Sequence, residues 1–381
     1  MNKAAKTFSG IVNLLSVILI FFSCSEKPTI GNLRVYSEKK NLTLYATQFG
    51  FEDYGGYTEL RISVSEGEEN RFYLFEKSAR LPDSLKGSSR VIFIPVKSVV
   101  CTSTTQIPWL DVLGSSHVLT GFPDPGFIHS PVQRERFRRG VLKDLGGPAG
   151  LEPEALVSVS PELVLSFNGR NDERLARLLD RAGIPLLNTR DHLEEHPLGK
   201  AEWIRFAGLL LNRRKEADSI FNEVTKSYKK QLGLSAAPEV APVVLTGIPY
   251  GGVWYLPGPR SYASRLFADA GFRPVQAGSD HATVIPLSIE EVFQAGLNAD
   301  FWIGASDFST LEQLISSDSR FANFKSVKNK NVWVYDLQLI PGGGNGYFET
   351  AGLRPDLVLS DLNKIRTATD TVGLNYYRRL K

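Results

Sequence analysis

Cysteine, charge imbalance and long apolar runs are all scarce in this 381-residue chain. With only two cysteines, Cys24 and Cys101, the sequence excludes a disulfide framework and a thiolate metal site. The formal net charge is only +3, which excludes the strong basic excess typical of nucleic-acid binding. The five histidines also lack metal-ligand spacing, so we predict no resident metal and no cofactor. They are His117, His129, His192, His196 and His281.

The apolar run over residues 11–22 is too short to span a bilayer, which takes about 20 residues. Because Lys3 and Lys6 precede it, the run is typical of the core of a signal peptide. It ends in "FFSC", which resembles a bacterial lipoprotein cleavage site with Cys24 as the lipidated residue. Removing the two lysines, with no acid, would lower the net charge from +3 to +1. We predict a periplasmic protein, lipid-anchored to a bacterial membrane; an ordinary secretion signal is the alternative.

Strand and helix patterns alternate along most of the chain, which predicts an α/β fold with two Rossmann-like lobes. A strand over Arg90–Cys101 is expected to open the first lobe, after an N-terminal β layer. An unbroken helical pattern of about 33 residues, roughly 50 Å long, predicts a single long helix between the lobes. The predicted divisions are a signal peptide (1–23), a leader and β layer (24–89), a first lobe (90–198), a connecting helix (199–233) and a second lobe (234–381).

One short pattern occurs twice, as "LEPEALVSVSPELVLSFNG" and as "LSIEEVFQAGLNADFWIGAS". Each copy has a capped helix start, an apolar helix and a strand, and each has a glutamate in the first turn, Glu154 or Glu290. The helix dipole favours such a carboxylate by about 0.3–1 kcal/mol, which is a purely structural explanation. Glu291 already fits the capping-box position, however, so Glu290 is free to point outward. Two equivalent glutamates could instead hold two arginines of a partner by bidentate hydrogen bonds.

Four loops at predicted strand ends hold candidate ligand contacts. These are Thr104 and Thr105 in "CTSTTQIP", Phe167 and Arg170 in "SFNGRND", Tyr250, Trp254 and Tyr255 in "GIPYGGVWYLPG", and Tyr347 in "PGGGNGYFE", which also contains Glu349. The two threonines could equally form a simple helix cap, and Arg170 could lie on the surface. The last loop does not match GxGxxG, which argues against a nucleotide. Arginine with aromatic side chains fits a large metal chelate. His129 or His281 could contact its metal, and the alternative is that both are ordinary surface residues in loops.

The segments "EALVSVSPELVL", "EEVFQAGLNADFWI", "YLPGPRSYASRLFADAGF" and "YFETAGLRPDLVLSDL" resemble, in this order, those of class III periplasmic binding proteins. The resemblance covers roughly Arg90 to Arg366, and the β layer before Arg90 departs from it. It implies two lobes joined by one backbone helix, with a cleft for cobalamin, a ferric siderophore or haem. It also implies that Glu154 and Glu290 dock on arginines of the membrane subunits of an importer.

The sequence therefore predicts a monomeric, non-enzymatic lipoprotein that binds a ferric siderophore and delivers it to an ABC permease. Cobalamin or haem is the alternative ligand. A surface lipoprotein without a transport role is a second alternative. An exported hydrolase is disfavoured because no GxSxG motif is present.

Overall fold

The computed structural model describes residues 42–146, 151–167, 173–234, 239–275, 284–305, 308–367 and 372–381. The predicted signal peptide and Cys24 lie outside these ranges, as do Arg170 and His281. Within these ranges, no helix is both long enough and apolar enough to cross a membrane.

A four-stranded sheet forms the N-terminal β layer. Its strands, in sheet order, are β1 (Phe49–Asp53), β2 (Thr58–Ser65), β3 (Glu68–Glu76) and β4 (Val91–Ile94). The first two pairings are antiparallel and the pairing of β3 with β4 is parallel. Leu60, Ile62, Phe72 and Leu74 alternate with more exposed residues and are buried, as expected for strands with one face on a core.

The single strand predicted over Arg90–Cys101 is divided in the structure. Its first part is β4, which completes the β layer, and its second part is β5 (Val99–Cys101), the central strand of the first lobe. The β layer therefore extends beyond the predicted boundary at residue 89. The division falls at "PVKS", where Pro95 lacks the N–H that a continuous ladder would use.

The first lobe is a five-stranded sheet in which every pairing is parallel. In sheet order the strands are β7 (Lys143–Asp144), β6 (Leu119–Phe122), β5, β8 (Leu163–Ser166) and β9 (Leu186–Asn188). Its helices are α1 (Ile107–Val112), α2 (Pro131–Arg138), α3 (Pro153–Val159) and α4 (Glu173–Arg181). Buried apolar runs such as Leu163–Leu165 are typical of parallel strands covered on both faces.

The second lobe holds a second five-stranded sheet and a small three-stranded sheet. The larger one runs β13 (Arg273–Pro274), β10 (Val243–Thr246), β15 (Phe301–Ile303), β16 (Val332–Val334) and β17 (Arg378–Arg379), of which only β17 is antiparallel. The smaller one is antiparallel and contains β11 (Pro249–Tyr250), β12 (Val253–Pro257) and β14 (Val284–Ser288). Its helices are α8 (Tyr262–Asp269), α9 (Ile289–Gly296), α10 (Leu311–Ser317), α11 (Lys325–Lys328), α12 (Gly346–Thr350) and α13 (Pro355–Thr367).

The two larger sheets share a parallel core with equivalent strand order. The order β6-β5-β8-β9 in the first lobe corresponds to β13-β10-β15-β16 in the second. The helix before β8 is α3 and the helix before β15 is α9, so the two copies of the repeated motif occupy equivalent places. The predicted α/β class with two Rossmann-like lobes is confirmed.

The segment that connects the lobes is helical, but three helices replace the single one predicted over 199–233. They are α5 (Pro197–Ala201), α6 (Trp203–Leu210) and α7 (Arg214–Leu234). The chain turns between α6 and α7 at Asn212, which has a left-handed φ of 54° that asparagine tolerates. A Cβ at Gly208 would lie 2.5 Å from that of Ala217, so glycine there lets the two helices pack closely. The longest helix, α7, spans about 32 Å.

Two buried glutamates, Glu194 at the end of the first lobe and Glu202 between α5 and α6, bind the first described residues of the chain. Glu202 accepts hydrogen bonds from the backbone N–H groups of residues 44, 45 and 46, at 2.7–3.0 Å. Glu194 accepts those of Thr47 and Gln48, at 2.8 and 3.0 Å. Arg205 also pairs with Glu202 at 2.8 Å. The β layer is thereby attached to the helices between the lobes.

Candidate functional site

A cavity of about 440 Å³ lies where carboxyl ends of strands from both lobes meet. Thr246 is the last residue of β10 and Ile303 is the last residue of β15, each followed by a glycine that also lines the cavity, and His192 follows β9. Ligands of α/β proteins bind at this edge of the sheet, and the volume is within the usual range for small-molecule sites. The cavity is therefore the candidate ligand site.

Tyrosines supply much of the cavity wall. They are Tyr255, Tyr262, Tyr335, Tyr347 and Tyr377, all from the second lobe. Tyr335 and Tyr347 are stacked with centroids 4.5 Å apart, and the Tyr377 hydroxyl donates to that of Tyr347 at 3.5 Å. Burial raises the pKa of Tyr347 to about 12, so its phenol is neutral at pH 7. The buried Tyr262 hydroxyl has no hydrogen-bond partner among the described residues.

The first lobe contributes His192, Leu193 and Glu194 to the same cavity. Burial lowers the pKa of His192, so its imidazole is neutral at pH 7 and can donate and accept one hydrogen bond each. Burial also raises the pKa of Glu194, against the hydrogen bonds from Thr47, Gln48 and Trp203. Glu194 thus lies between the cavity and the attachment of the β layer.

Thr104 and Thr105, which were predicted as ligand contacts, are not among the residues that line this cavity. They lie in a short 3-10 turn after β5, inside a capping box formed by Ser103 and Gln106. The Thr105 hydroxyl is 2.9 Å from that of Ser103, and Gln106 donates to Thr189 at 2.8 Å, which links the ends of β5 and β9. The helix-cap explanation accounts for these residues.

Phe167 lines a separate pocket of about 160 Å³. This pocket lies between the first lobe and the β layer, and it shares His192 with the main cavity. The ring centroids of Phe167 and His192 are 4.5 Å apart, so Phe167 packs against the histidine ring. Arg170, its predicted companion, falls outside the described residues.

The three aromatic residues of "YGGVWY" have different environments. Tyr255 lines the cavity and is 49% exposed. Trp254 is fully buried and donates its indole N–H to the Thr246 carbonyl at 2.9 Å, so it lies in the core and not in the cavity wall. Tyr250 is 81% exposed at the tip of the β11–β12 hairpin and is not part of the cavity wall. The predicted loop is in fact a strand, whose two-residue period separates Trp254 from Tyr255.

The glycine-rich loop before α12 approaches the first lobe closely. A Cβ at Gly344 would lie 3.0 Å from the Phe127 carbonyl oxygen, and one at Gly343 would lie 3.0 Å from the Phe127 ring. The absence of side chains at these glycines therefore allows the loop to pack closely against the first lobe.

Glu349, on α12, forms hydrogen bonds across the cleft. Its carboxylate accepts from the backbone N–H groups of His129 and Ser130 at 2.7 and 2.9 Å, at the amino end of α2. The residue is only 3% exposed. Burial, with a smaller contribution from Asp111, raises the pKa of Glu349 to about 7 despite these hydrogen bonds. We call this contact the interlobe clasp; it gives Glu349 a role between the lobes rather than with a ligand.

Glu154 and Glu290 lie at equivalent, exposed positions in the first turns of α3 and α9. Each helix leads into the amino end of a parallel strand, so its own amino end lies towards the carboxyl-end edge where the cavity is. The predicted capping box between Ser288 and Glu291 is present. Arg320 lies 3.7 Å from Glu290, whereas no ion pair to Glu154 is found among the described residues.

Several lining residues were not predicted from the sequence, namely His192, Glu194, Tyr262, Tyr335 and Tyr377. Tyr262 follows Ser261, the N-cap of α8. The helix start after β12 is therefore a signal in the sequence that could have placed Tyr262 near the site. Tyr377 reaches the site through the antiparallel pairing of β17 with β16, which no local pattern indicates. No group of three or more potential metal ligands occurs in the described part of the chain.

A wider groove of about 520 Å³ runs between the β layer and the first lobe. Its lining includes Glu162 and Pro185, which directly precede β8 and β9. The groove therefore lies at the amino-end edge of that sheet, where α/β proteins rarely bind ligands. The tyrosine-lined cavity is the better candidate.

Comparison with known proteins identifies relatives for most of the chain. A family model described as periplasmic binding protein matches residues 99–339. An uncharacterized lipoprotein of Methanocaldococcus jannaschii is 26% identical over 86% of this chain and 89% of its own length.

Solved structures share the fold at low identity. A periplasmic haem binding protein from Pseudomonas aeruginosa superposes with a TM-score of 0.58 at 16% identity, over 75% of this chain and 98% of that one. The periplasmic vitamin B12 binding protein of Vibrio cholerae gives 0.52 at 11% identity, over 72% and 98%.

Proposed function

The chain belongs to the periplasmic binding protein family, as a class III member, and from this we propose that it delivers a metal chelate to an ABC permease. The chelate would bind in the tyrosine-lined cavity between the lobes. Glu154 and Glu290 would dock on the permease.

The composition of the cavity wall carries the proposal for the ligand class. Five tyrosines with Leu193, Leu256, Pro257 and Ile303 form a largely aromatic and apolar surface. The described wall contains no lysine or arginine and only one carboxylate, Glu194. Flat aromatic side chains favour a planar, partly apolar ligand. We therefore place a metal tetrapyrrole, haem or a corrinoid, first.

A ferric siderophore is the second candidate. The Lys200 ammonium lies 5.1 Å from the ring centroid of Tyr262, a wall residue, and 3.9 Å from the Asp191 carboxylate, so one cation, already partly paired, is near the wall. Phenols and the neutral imidazole of His192 can hydrogen-bond to either class.

The two glutamates suit docking because of their position and exposure. Both are in first turns at the cleft-side edge of their lobes, and the Glu290 side chain is 76% exposed. Bidentate pairing of carboxylates with arginines is strong and directional. We extend the proposal to a lipid anchor at Cys24, supported by the "FFSC" sequence and by the lipoprotein relative.

The ligand is tested by titrating the mature protein with haemin, cobalamin and several ferric siderophores. Quenching of tryptophan fluorescence reports binding. We expect micromolar or tighter affinity for at least one tetrapyrrole and weaker binding of the siderophores. Absence of binding to every chelate would refute the ligand class, and preferential siderophore binding would reverse the order.

Docking is tested by Glu154→Arg and Glu290→Arg, singly and together, in cells that lack the chromosomal copy. Uptake should be lost in the double variant while chelate affinity is retained. Glu239→Arg, at an exposed position before β10 and at the opposite edge of the second lobe, is the control. Unchanged uptake in the double variant would leave both glutamates as helix-stabilising residues only.

A further inference from the structure

The three-stranded sheet of the second lobe has one buried face and one exposed face. Trp254, Leu256 and Ile285 point to the core and are at most 7% exposed. The opposite face contains Tyr250, Val253, Tyr255, Val284 and Pro286, which we call the hairpin face. Directly paired residues share a face of a sheet, and Tyr250 pairs with Val253 and Tyr255 with Pro286.

The hairpin face is apolar and largely uncovered. Tyr250 is 81% exposed, Val284 is 56% exposed and Tyr255 is 49% exposed. Gly251 and Gly252, with φ of 59° and 82°, form the tight turn that presents Tyr250 at the tip. A contiguous exposed apolar face of this kind is a common mark of a protein interface.

The positions of the two ends of the hairpin face indicate which partner would bind it. At one end, Pro257 and Val284 are paired and both line the ligand cavity, as does the neighbouring Tyr255. At the other end, Val253 pairs with Ser288, the cap of the helix that carries Glu290. The strand distance between these ends is about 13 Å. A membrane subunit that binds Glu290 and receives the ligand from the cavity must therefore pass over this face.

We propose that the hairpin face is a docking surface for the permease, with Tyr250 as its principal contact. The inference rests on the proposed function, and it extends docking beyond the two glutamates. Tyr250 would act with Glu290 on the same membrane subunit, an exposed aromatic beside a carboxylate. Among the described residues the first lobe has no such hairpin, so docking would be more extensive on the second lobe.

The test compares Tyr250→Ser with Val240→Ser. Val240 is 82% exposed and precedes β10, at the opposite edge of the same lobe, so it is a matched surface control. We expect Tyr250→Ser to lower uptake about tenfold or more, as for aromatic hot spots. Haemin or cobalamin affinity, measured by tryptophan quenching, should change less than about twofold. Val240→Ser should change neither quantity.

A photoreactive residue at position 250, 290 or 240 gives a second measurement that needs no ligand. Positions 250 and 290 should cross-link to the same permease subunit, identified by its sequence, and position 240 should not. A parallel fall in chelate affinity for Tyr250→Ser would make Tyr250 a ligand contact and overturn the proposal. Unchanged uptake, or no adduct at 250 beside one at 290, would also overturn it. Failure of the proposed function itself would appear separately, as no chelate binding and no uptake by the unaltered protein.

Discussion

In the first lobe the central strand β5 is followed by a capped turn, Ser103–Gln106, whereas the equivalent strand β10 of the second lobe is followed by a hairpin. The turn satisfies its own hydrogen bonds and contributes nothing to the cavity wall. The hairpin supplies Tyr255 to the cavity and Tyr250 to the surface. The segments that follow these two equivalent strands therefore have different roles: one is a closed turn and the other contributes to the cavity and to the surface.

This difference shows that the two lobes share their scaffold but not the residues that form the ligand site. Strand order and the first-turn glutamates are equivalent between the lobes. All the cavity tyrosines, by contrast, come from the second lobe, and the first lobe supplies His192, Leu193 and Glu194. The four predictions that follow address this asymmetry.

The largest effect is expected within the hairpin itself, from Trp254→Ala. Removing this fully buried indole should lower the free energy of unfolding by about 3–5 kcal/mol. Tyr255→Ala, one residue later, should lower it by less than about 1 kcal/mol because that side chain is half exposed. Urea titration of both variants measures the difference. Equal losses would contradict the inward and outward alternation along β12.

The interlobe clasp should make stability depend on pH. Because the pKa of Glu349 is raised to about 7 in the fold, the folded state binds a proton more tightly than the unfolded state. This stabilisation is complete below about pH 4.5 and is lost as the pH rises through about 7. The rise from about 4.5 to about 7 corresponds to a loss of about 3.5 kcal/mol, at roughly 1.4 kcal/mol per pKa unit.

Denaturant titrations across this range, for the unaltered protein and Glu349→Gln, measure the effect. The glutamine variant should lack that part of the decrease in stability. Glu154→Gln, an exposed carboxylate on the other lobe, should retain it. A profile for Glu349→Gln that matches the unaltered protein would show that the clasp does not titrate as described.

Ligand binding should respond to the second lobe more than to the first. Tyr255→Ala should weaken binding of the chelate that binds best by about tenfold, the usual scale for an aromatic contact. Thr105→Ala should have less than about a twofold effect because its hydroxyl bonds locally. Fluorescence titration compares the two. A larger effect of Thr105→Ala would restore the predicted role of that loop and remove the asymmetry.

The smallest effect is expected at the docking glutamates, from Arg320→Ala. Arg320 partly satisfies Glu290 at 3.7 Å, and exposed ion pairs of this kind are weak and screened by salt. Its removal should slightly increase permease association at low ionic strength and have no effect at high ionic strength. Arg138→Ala, which breaks the exposed pair with Glu135, is the control. Weaker association would mean that Arg320 itself contacts the permease.

Local signals predicted the scaffold well because they depend on few neighbouring residues. The capping box at Ser288 and the Pro153 helix start located α9 and α3. The connecting helix was predicted as continuous because the helical spacing of apolar residues continues through the turn at Asn212 and so does not reveal it.

The ligand site was harder to predict because its residues come together through tertiary pairing. Tyr377 enters through β17, and His192 enters from the far edge of the first sheet. Trp254 and Tyr255 are adjacent in sequence but point in opposite directions. An interpretation of "GGVWYLP" as a strand, from its β-branched and aromatic content, would have separated them.

The attachment of residues 44–48 by Glu194 and Glu202 limits how the chain can be shortened. A version that begins after residue 48 would remove five backbone donors from two buried carboxylates. One of those carboxylates, Glu194, also borders the cavity, and an uncompensated buried charge is costly. Residues 44–48 are therefore part of the binding unit, and a shortened protein would have to begin ahead of Leu44.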